Sequence, residues 1–500
     1  MHNPIDFIIE VFSPRRALRR ATDRQLLKRY YEAARPSPTR RPIQDGGSGD
    51  NVAFAAAHNL RKQARYLDEN HDLARGVLHD LVNGIVGTGI TSQPMLRTRR
   101  GKLAKKANQI IRRKHREWQR RPEVTREMNW VMAQRLACRT WLRDGEIFAQ
   151  KVTGLRADIQ YSSDVPFLLE LLESEMVPMD YVAQNRDDTI LGIDRDAWGA
   201  AKNYKVYKTH PADMFRPQRQ ELKDVPASRM IHLKFSDRVS QTRGVSLFAP
   251  IMIRLDDLKE YEESERIAAR VAAAFTGYIK RPDFAANTNV DTSTGRRMFE
   301  MSPGLIFDGL GPGEDVGMIK SDRPNTGLES FRQGQIRALT SGTGASNANV
   351  SKDFSGTYSS QRQELVVQTV SYGALRNEFV TKFVDDSWRT FIDMLILTGA
   401  LDGVAFDRDT RYEVEHRGAP MPWIDPLKEA KADEVAVANG FKSQAQVIKD
   451  RSGNPDDVID QVEAEREAHK EKGLTFKYYA GQGTEKSAEG GANAADTPES

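Results

Sequence analysis

Apolar residues recur every three or four positions through most of the chain, and alternate in one limited stretch. Over 51–86 the repeat is helical. It stops at Gly87 and Gly89, where glycine can take positive φ and end a helix. Over 97–121, Leu103, Ile110, Ile111 and Trp118 fall near helical spacing, so one face can pack while the rest stays polar. A third helix is predicted over 124–143, ending at Asp144 and Gly145. Residues 146–235 are mixed, and the alternating runs 146–152 and 230–235 predict strands. The next long helix covers 246–275 and would extend ~43 Å at ~1.5 Å per residue. Its alanine-rich end permits close helix approach.

Beyond it, 276–326 is rich in Gly, Pro, Asn and Asp and reads as a small loop-and-strand module. A shorter helix over 327–340 leads into small polar residues at 341–349, expected to be a flexible loop. Ser360 with Gln363 offers a capping box for the helix that follows. That helix carries Leu365, Tyr372, Leu375, Phe379, Phe383, Trp388, Phe391 and Leu395, an apolar stripe of about ten turns. Two further helices are expected over 427–439 and 443–472. The fold class is therefore α+β, mainly α, with no internal repeat. At the ends, 1–34 reads as a basic helical segment and 35–50 as a Pro- and Gly-rich linker. The last twenty or so residues have a disordered composition.

Composition changes the picture modestly. The 500 residues are 39% hydrophobic and 29% charged, which suits either burial shared with neighbouring subunits or long exposed helices. A single cysteine, Cys138, excludes an internal disulfide and a cysteine-based zinc site, and its apolar neighbours predict a buried structural thiol. No apolar run reaches the ~18 residues that span a bilayer. The apolar patch at 5–12 contains acids and precedes its arginines, the reverse of a signal peptide, so no membrane association is expected.

Charge changes it more. Residues 1–121 hold 26 Lys/Arg and 11 Asp/Glu, a net +15, and the remainder holds 48 and 59, a net −11. Such asymmetry suggests one surface that meets a polyanion and another that avoids it. The basic run 97–121 supplies Arg112, Arg113, Lys114 and Arg116 as candidate phosphate contacts, each neutralised phosphate releasing counterions. The alternative is a solvated face, or one meeting acidic neighbours in an oligomer. The middle of the 246–275 helix is acidic, with Asp256, Asp257, Glu260 and Glu263 among its carboxylates.

Candidate catalytic chemistry is sparse. Gly84, Gly87 and Gly89 have the wrong spacing for a dinucleotide fingerprint, and Gly342 with Gly344 lacks the Lys-Ser/Thr of a phosphate loop. Asp213 with Glu221 and Lys223 mimics the acid … acid-x-lysine of a Mg²⁺-dependent nuclease. No apolar strand core frames those acids, which favours a surface loop. The nine histidines show no paired ligand spacing, and His232 lies on a predicted strand as a structural residue. No catalytic residue, metal or cofactor is expected. A cytoplasmic DNA-binding regulator is the remaining alternative from charge alone.

Several ordered segments resemble the portal proteins of tailed bacteriophages, lambda family. They are Tyr31 to Ala34; 83–91, with Asn83, Gly84, Gly87 and Gly89; 144–148, opening on Asp144, Gly145 and Glu146; 225–232 followed by Gln241, Thr242, Arg243 and Gly244; Pro303 and Gly304 with 310–314; Asp353 to Arg362; and 423–430, opening on Trp423, Ile424, Asp425 and Pro426. The set runs in family order over about 30–470. One departure is the polar segment 340–349, where the family is more apolar.

The resemblance implies an elongated portal fold of wing, stem, clip and crown regions in a cyclic ring of twelve. It implies a basic segment and linker over 1–50, wing over 51–245, stem helix 246–275, clip 276–326, second stem helix 327–340, tunnel loop 341–357, long wing helix and connection 358–424, crown 425–472 and a tail 473–500. Asp256, Asp257, Glu260 and Glu263 would line a DNA channel. Ser341, Thr343, Asn347, Asn349 and Lys352 would sit in the tunnel loop. The implied partners are other copies of the chain, double-stranded DNA without sequence specificity, the terminase large subunit, the major capsid and scaffold proteins, and head-completion or tail connector proteins. The implied location is the capsid vertex of the virion, with the host cytoplasm during assembly. No reaction is implied.

Overall fold

The computed structural model describes residues 47–181, 188–214, 221–273, 277–280, 315–318, 327–420, 425–451 and 453–474. The expectations for the basic segment 1–34, most of 276–326, Trp423, Ile424 and most of the C-terminal tail concern residues outside this set. The described chain is mainly helical with some sheet.

The helical run 51–86 is two helices, α1 (Gly49–Asn70) and α2 (Asp72–Ile85). They break at His71, which is extended at φ −130°. Its buried ring bonds the Leu255 carbonyl at 3.1 Å, so a tertiary contact takes a residue out of the helix. β1 (Thr91–Pro94) follows, then α3 (Lys105–Trp118) and α4 (Trp130–Asp144). α4 starts six residues later than the apolar repeat predicts. The Glu123 carboxylate gathers the backbone N–H groups of Thr125 (3.0 Å) and Glu127 (2.9 Å), Arg126 turns through φ +63°, and Asn129 supplies the N-cap.

The predicted strands are β2 (Glu146–Thr153) and β8 (Met230–Lys234). β2 is the centre of a three-stranded antiparallel sheet, with β3 (Phe167–Leu172) on one side and β8 on the other. A second antiparallel sheet runs in order β4 (Thr189–Ile190), β5 (Ile193–Arg195), β6 (Ala201–Tyr207) and β7 (Leu222–Pro226). Phe148, Leu172, Val177, Ile193, Val206 and Val225 form a small core between these two sheets.

α5 (Met252–Ala273) begins later than 246 because Pro250 has no N–H for a helical bond, and residues 246–251 turn instead. β9 (Gly277–Lys280) and β10 (Asp315–Met318) pair as an antiparallel ribbon. α6 (Leu328–Thr343) runs one turn past its expected end and stops at Gly344, φ +75°. α7 (Asn347–Ser351) occupies the segment expected to be a flexible loop.

The helix after it is capped by Thr357, whose Oγ1 accepts from Ser360 N, rather than by a Ser360–Gln363 box. α8 (Tyr358–Phe379) passes through one π turn (Val380–Val384) into α9 (Asp385–Leu397). The apolar stripe shows why: Phe383 and Trp388 are five apart, and the π turn adds the extra residue that keeps both inside. β11 (Val414–Arg417) pairs with β1. The C-terminal helices are α10 (Pro426–Ala438), α11 (Gln444–Asp450) and α12 (Pro455–Glu471), the last two splitting the expected 443–472 helix.

The main core lies among α2, α4, β2, β3, the start of α5 and α9. Trp118, Trp388, Phe167, Phe383 and Phe391 are at most 2% exposed there, and Trp118 stacks on Phe167 at 5.4 Å. Cys138 is fully buried in this core, and burial pushes its thiol up out of the reactive range.

Candidate channel surface

α5 has two faces of different character. Met252, Leu255 and Leu258 are at most 3% exposed and enter the core. Further along, the helix pairs with α6. Arg332 Nε donates to Glu262 Oε1 at 2.8 Å, Arg254 donates to Gln335 Oε1 at 2.8 Å, and Tyr261 meets Phe331 at 4.7 Å between ring centres. Asp256, Asp257, Glu260 and Glu263 are all exposed. Their three- and four-residue spacing puts them on one side of the helix, beside exposed Ile253 and Ile267. The acids span ~10 Å of helix, at ~1.5 Å per residue. Like charges at this spacing cost a helix ~0.2–0.5 kcal/mol per pair. Arg254, Lys259 and Arg266, three or four residues from these acids, offset that repulsion on part of the helix.

The residues expected in a tunnel loop are placed differently from one another. Ser341 and Thr343 belong to the last turn of α6, and the buried Thr343 hydroxyl donates to the Leu339 carbonyl at 3.0 Å. Asn347 and Asn349 lie on α7. Lys352 ends α7 in the left-handed region at φ +58°. Small polar residues that read as mobile act here as caps and ligands. Asp80 accepts from Ser346 N, from Asn349 Nδ2 and from the Tyr372 hydroxyl at 2.8, 2.8 and 2.5 Å. Glu364 accepts from Ser346 Oγ and Ala348 N at 2.8 and 3.0 Å. Burial and the Asp80 carboxylate together push the Tyr372 hydroxyl up, so it stays a donor. Asp80 was missed in the sequence because a lone acid in an amphipathic helix looks solvated.

The basic run is largely occupied within the chain. Arg112 pairs with Asp457 at 2.7 Å and Arg116 with the same carboxylate at 3.5 Å. Lys114 bonds Asp164 at 2.5 Å and Glu117 at 3.2 Å. Arg113 is exposed. Three of the four candidates thus meet acids of their own chain.

Two of the resembling blocks meet at a buried charge. Glu146, fully buried, accepts from Arg243 Nε at 2.9 and 3.0 Å, from Arg61 at 3.2 Å and from Gly244 N at 2.9 Å. His232 Nε2 lies 3.1 Å from Oε2, the oxygen that also accepts from Gly244 N. Arg243 also donates to the carbonyls of Val177, Leu191 and Ser174 at 2.9–3.0 Å. Burial alone would raise the Glu146 carboxyl, but Arg243 and His232 outweigh it and hold it well below the usual range. Burial dominates at His232 and lowers it to about 4, so the ring is neutral near pH 7. A Cβ on Gly244 would overlap the Gly145 carbonyl, and one on Gly145 the Val245 carbonyl, so both blocks need glycine for close backbone approach. In 83–91, a Cβ on Gly84 would overlap the Tyr372 ring, and Arg376 donates to the Gly84 and Ile85 carbonyls. These blocks hold the frame of the subunit.

Two of the three nuclease candidates have ion-pair partners outside the set. Glu221 pairs with Lys208 at 2.9 Å and Lys223 with Glu170 at 3.4 Å. Among the described residues the metal-like grouping is Glu173, Glu175 and His210. Arg65 and Arg61 already lie 2.9 and 3.3 Å from Glu175, so two guanidinium groups occupy the place of a cation. No described helix is long and apolar enough to cross a membrane.

Comparison with known proteins agrees with the resemblance in the motifs. The sequence model of the phage portal protein, lambda family, matches residues 37–376. A probable portal protein of Halomonas phage phiHAP-1 is 23% identical over 452 residues, covering 87% of this chain and 85% of the relative. Among solved structures, the neck of a native gene transfer agent particle, computed with C12 symmetry, aligns with TM-score 0.43 and 11% identity. That alignment covers 81% of this chain and 99% of its counterpart. The neck of an empty particle, with C6 symmetry, aligns with TM-score 0.44 and 12% identity over 83% of this chain and 96% of the other.

Proposed function

The chain belongs to the lambda family of phage portal proteins, and from that premise we propose that its copies form a ring of twelve whose bore carries double-stranded DNA past the acidic stripe of α5. As a portal protein it is a structural, channel-forming component of the phage and not an enzyme. The observation that carries the bore assignment is the exposed row Asp256, Asp257, Glu260 and Glu263 opposite the packed face of α5.

The physics of a conduit asks for such a row. Many simultaneous phosphate contacts would hold a duplex in place, because each adds affinity. A carboxylate wall repels the backbone from every side and keeps the duplex centred and mobile. Cyclic symmetry makes each subunit contact heterologous, one face against a different face of the next copy. That use of surface fits the exposed Val366, Val367 and Val370 on α8, which are 44, 55 and 71% exposed in the single chain.

In this reading α5 and α6 form the stem, and the sheets with α1 to α4, α8 and α9 form the wing. α10 to α12 form the crown. Ser341, Thr343, Asn347, Asn349 and Lys352 mark the tunnel segment, which is non-helical and largely exposed over 352–357. Terminase would dock at the clip during packaging and head-completion proteins afterwards, with capsid and scaffold proteins around the wing. The ring would assemble in the host cytoplasm and remain at a capsid vertex. Mass measurement with negative-stain imaging tests the ring. Twelve-fold rings are expected, and a protein that stays monomeric or dimeric under every assembly condition would overturn the reading.

A further inference from the structure

A cavity of about 270 Å³ lies where β1, the end of α3, β11 and the start of α12 converge. Arg112, Arg116 and Arg417 line it, with Asp457 as its one carboxylate. Three guanidinium charges against one carboxylate leave two positive charges. Lys449 and Glu415 nearby pair with each other at 2.8 Å and cancel. His115 in the wall adds none, because burial and then His416 lower it to about 3.

Arg417 is only 9% exposed, and its Nε is buried with no hydrogen-bond partner among the described residues. Its other nitrogens are used, donating to the Gly453 carbonyl at 2.6 Å and to Glu415 at 2.8 Å. A buried guanidinium donor without an acceptor is costly, and an oxyanion in this cavity would supply one. α12 also begins here, so the positive end of a 17-residue helix faces the same space. Asn454, its N-cap, is held from β1 by Gln93 Nε2 at 2.6 Å.

We propose that this cavity is a phosphate-binding site whose resident ligand is Asp457, and that a phosphate group entering it displaces Asp457 and loosens the start of α12. The two arginines that Asp457 now holds would turn to the phosphate oxygens, and Arg417 Nε would gain its missing acceptor. α12 is otherwise weakly anchored, since Pro455 is its only buried residue. An anion at the wing would therefore change how firmly the C-terminal helices are held. The site lies apart from the α5 stripe, and the inference does not depend on the channel reading.

The test uses the full chain, with inorganic phosphate titrated by calorimetry. Asp457→Asn removes the internal competitor and is expected to tighten phosphate about tenfold, and Arg116→Gln to weaken it by about the same factor. Arg229→Gln, exposed and outside the cavity, should change nothing. Hydrogen exchange at 456–460 should quicken when phosphate is added to the wild type, and should already be fast in Asp457→Asn. Arg417→Gln should abolish binding. If that buried change prevents folding, the exposed Arg116→Gln still decides the matter. Competition of phosphate by a duplex of about two turns would identify the nucleic-acid backbone as the source. Phosphate binding without competition would identify the free anion. An Asp457→Asn variant that binds no tighter, or an Arg116→Gln variant no weaker than Arg229→Gln, overturns the site. Ring size measured on the same samples keeps the two readings separate, since losing the ring with phosphate binding intact would count against the channel alone.

Discussion

The sheet-centred body and α5 use charge in opposite ways. In the body, Glu146, Arg243, Arg61 and Asp144 are inside or nearly so, and each carries several partners. On α5, four acids stand in a row in solvent, where they repel one another. The first arrangement constrains geometry and leaves nothing to offer a partner. The second adds nothing to the fold and presents a field. Charge content along a sequence therefore says little until burial is known, and the contrast is testable from both ends.

The largest effect should come from breaking the buried arrangement. Arg243→Ala leaves the Glu146 carboxylate short of its main partner and frees three carbonyls. Removing one partner of a buried pair costs ~3–5 kcal/mol. The expected outcome is insoluble or unfolded protein, read by circular dichroism and ring yield. A stable, ring-forming variant would mean that Glu146 is not held as described.

Gly145→Ala comes next. It forces a side chain into φ +89° and against the Val245 carbonyl. Strain and overlap together should cost ~2–4 kcal/mol. The measurement is the shift in unfolding midpoint. A shift no larger than that of Gly76→Ala, where nothing lies within 4 Å of the new carbon, would contradict the close backbone approach.

Acid sharpens the comparison further, because the body buries histidines and the stripe has none. Burial lowers His232 to about 4 and His115 to about 3, and also lowers His416. An unfolded histidine takes its proton near 6.5. Between about 4 and 6.5 the unfolded chain therefore binds more protons than the folded one, and stability falls as pH falls through that window. Each such histidine contributes a slope of up to ~1.4 kcal/mol per pH unit. His115→Phe, which suits its aromatic surroundings, should flatten the slope by up to one such share. An unchanged slope between pH 4.5 and 6.5 would show that His115 is accessible to protons in the folded state.

What the sequence disclosed follows the same division. Helices with a long apolar stripe were legible, and the five-residue step from Phe383 to Trp388 even carried the π turn, although spacing alone did not reveal it. Residues 341–349 were misread because Ser346, Asn347 and Asn349 have the composition of a loop. Their order comes from Asp80 and Glu364, distant in sequence or hidden in a helix. The acids of α5 were legible as a run, but the face they share shows only once Leu255 and Leu258 are placed in the core. The joining of Glu146 to Arg243 was not legible, since 97 residues separate them. The basic run was half legible, because its partner Asp457 lies more than 300 residues away.

The smallest effect on stability, and the most telling on function, should come from the stripe itself. Neutralising the exposed Asp256, Asp257, Glu260 and Glu263 to Asn and Gln relieves repulsion among them, so each should change stability by less than ~0.5 kcal/mol. Ring formation should persist. If the stripe lines the bore as proposed, replacing the same four by lysine reverses the field there, and the passage should bind the duplex. Twelve copies would then present dozens of cations, and retention should weaken steeply as salt is raised, in proportion to the phosphates neutralised. Purified rings of the lysine variant should hold duplex DNA at low salt where the wild type releases it. Packaging into heads should stall, while the Asn/Gln variant is milder. If the lysine ring holds DNA no more strongly than the wild type at low salt, the stripe does not face the bore, and the exposed acids of α5 belong to a surface against another protein.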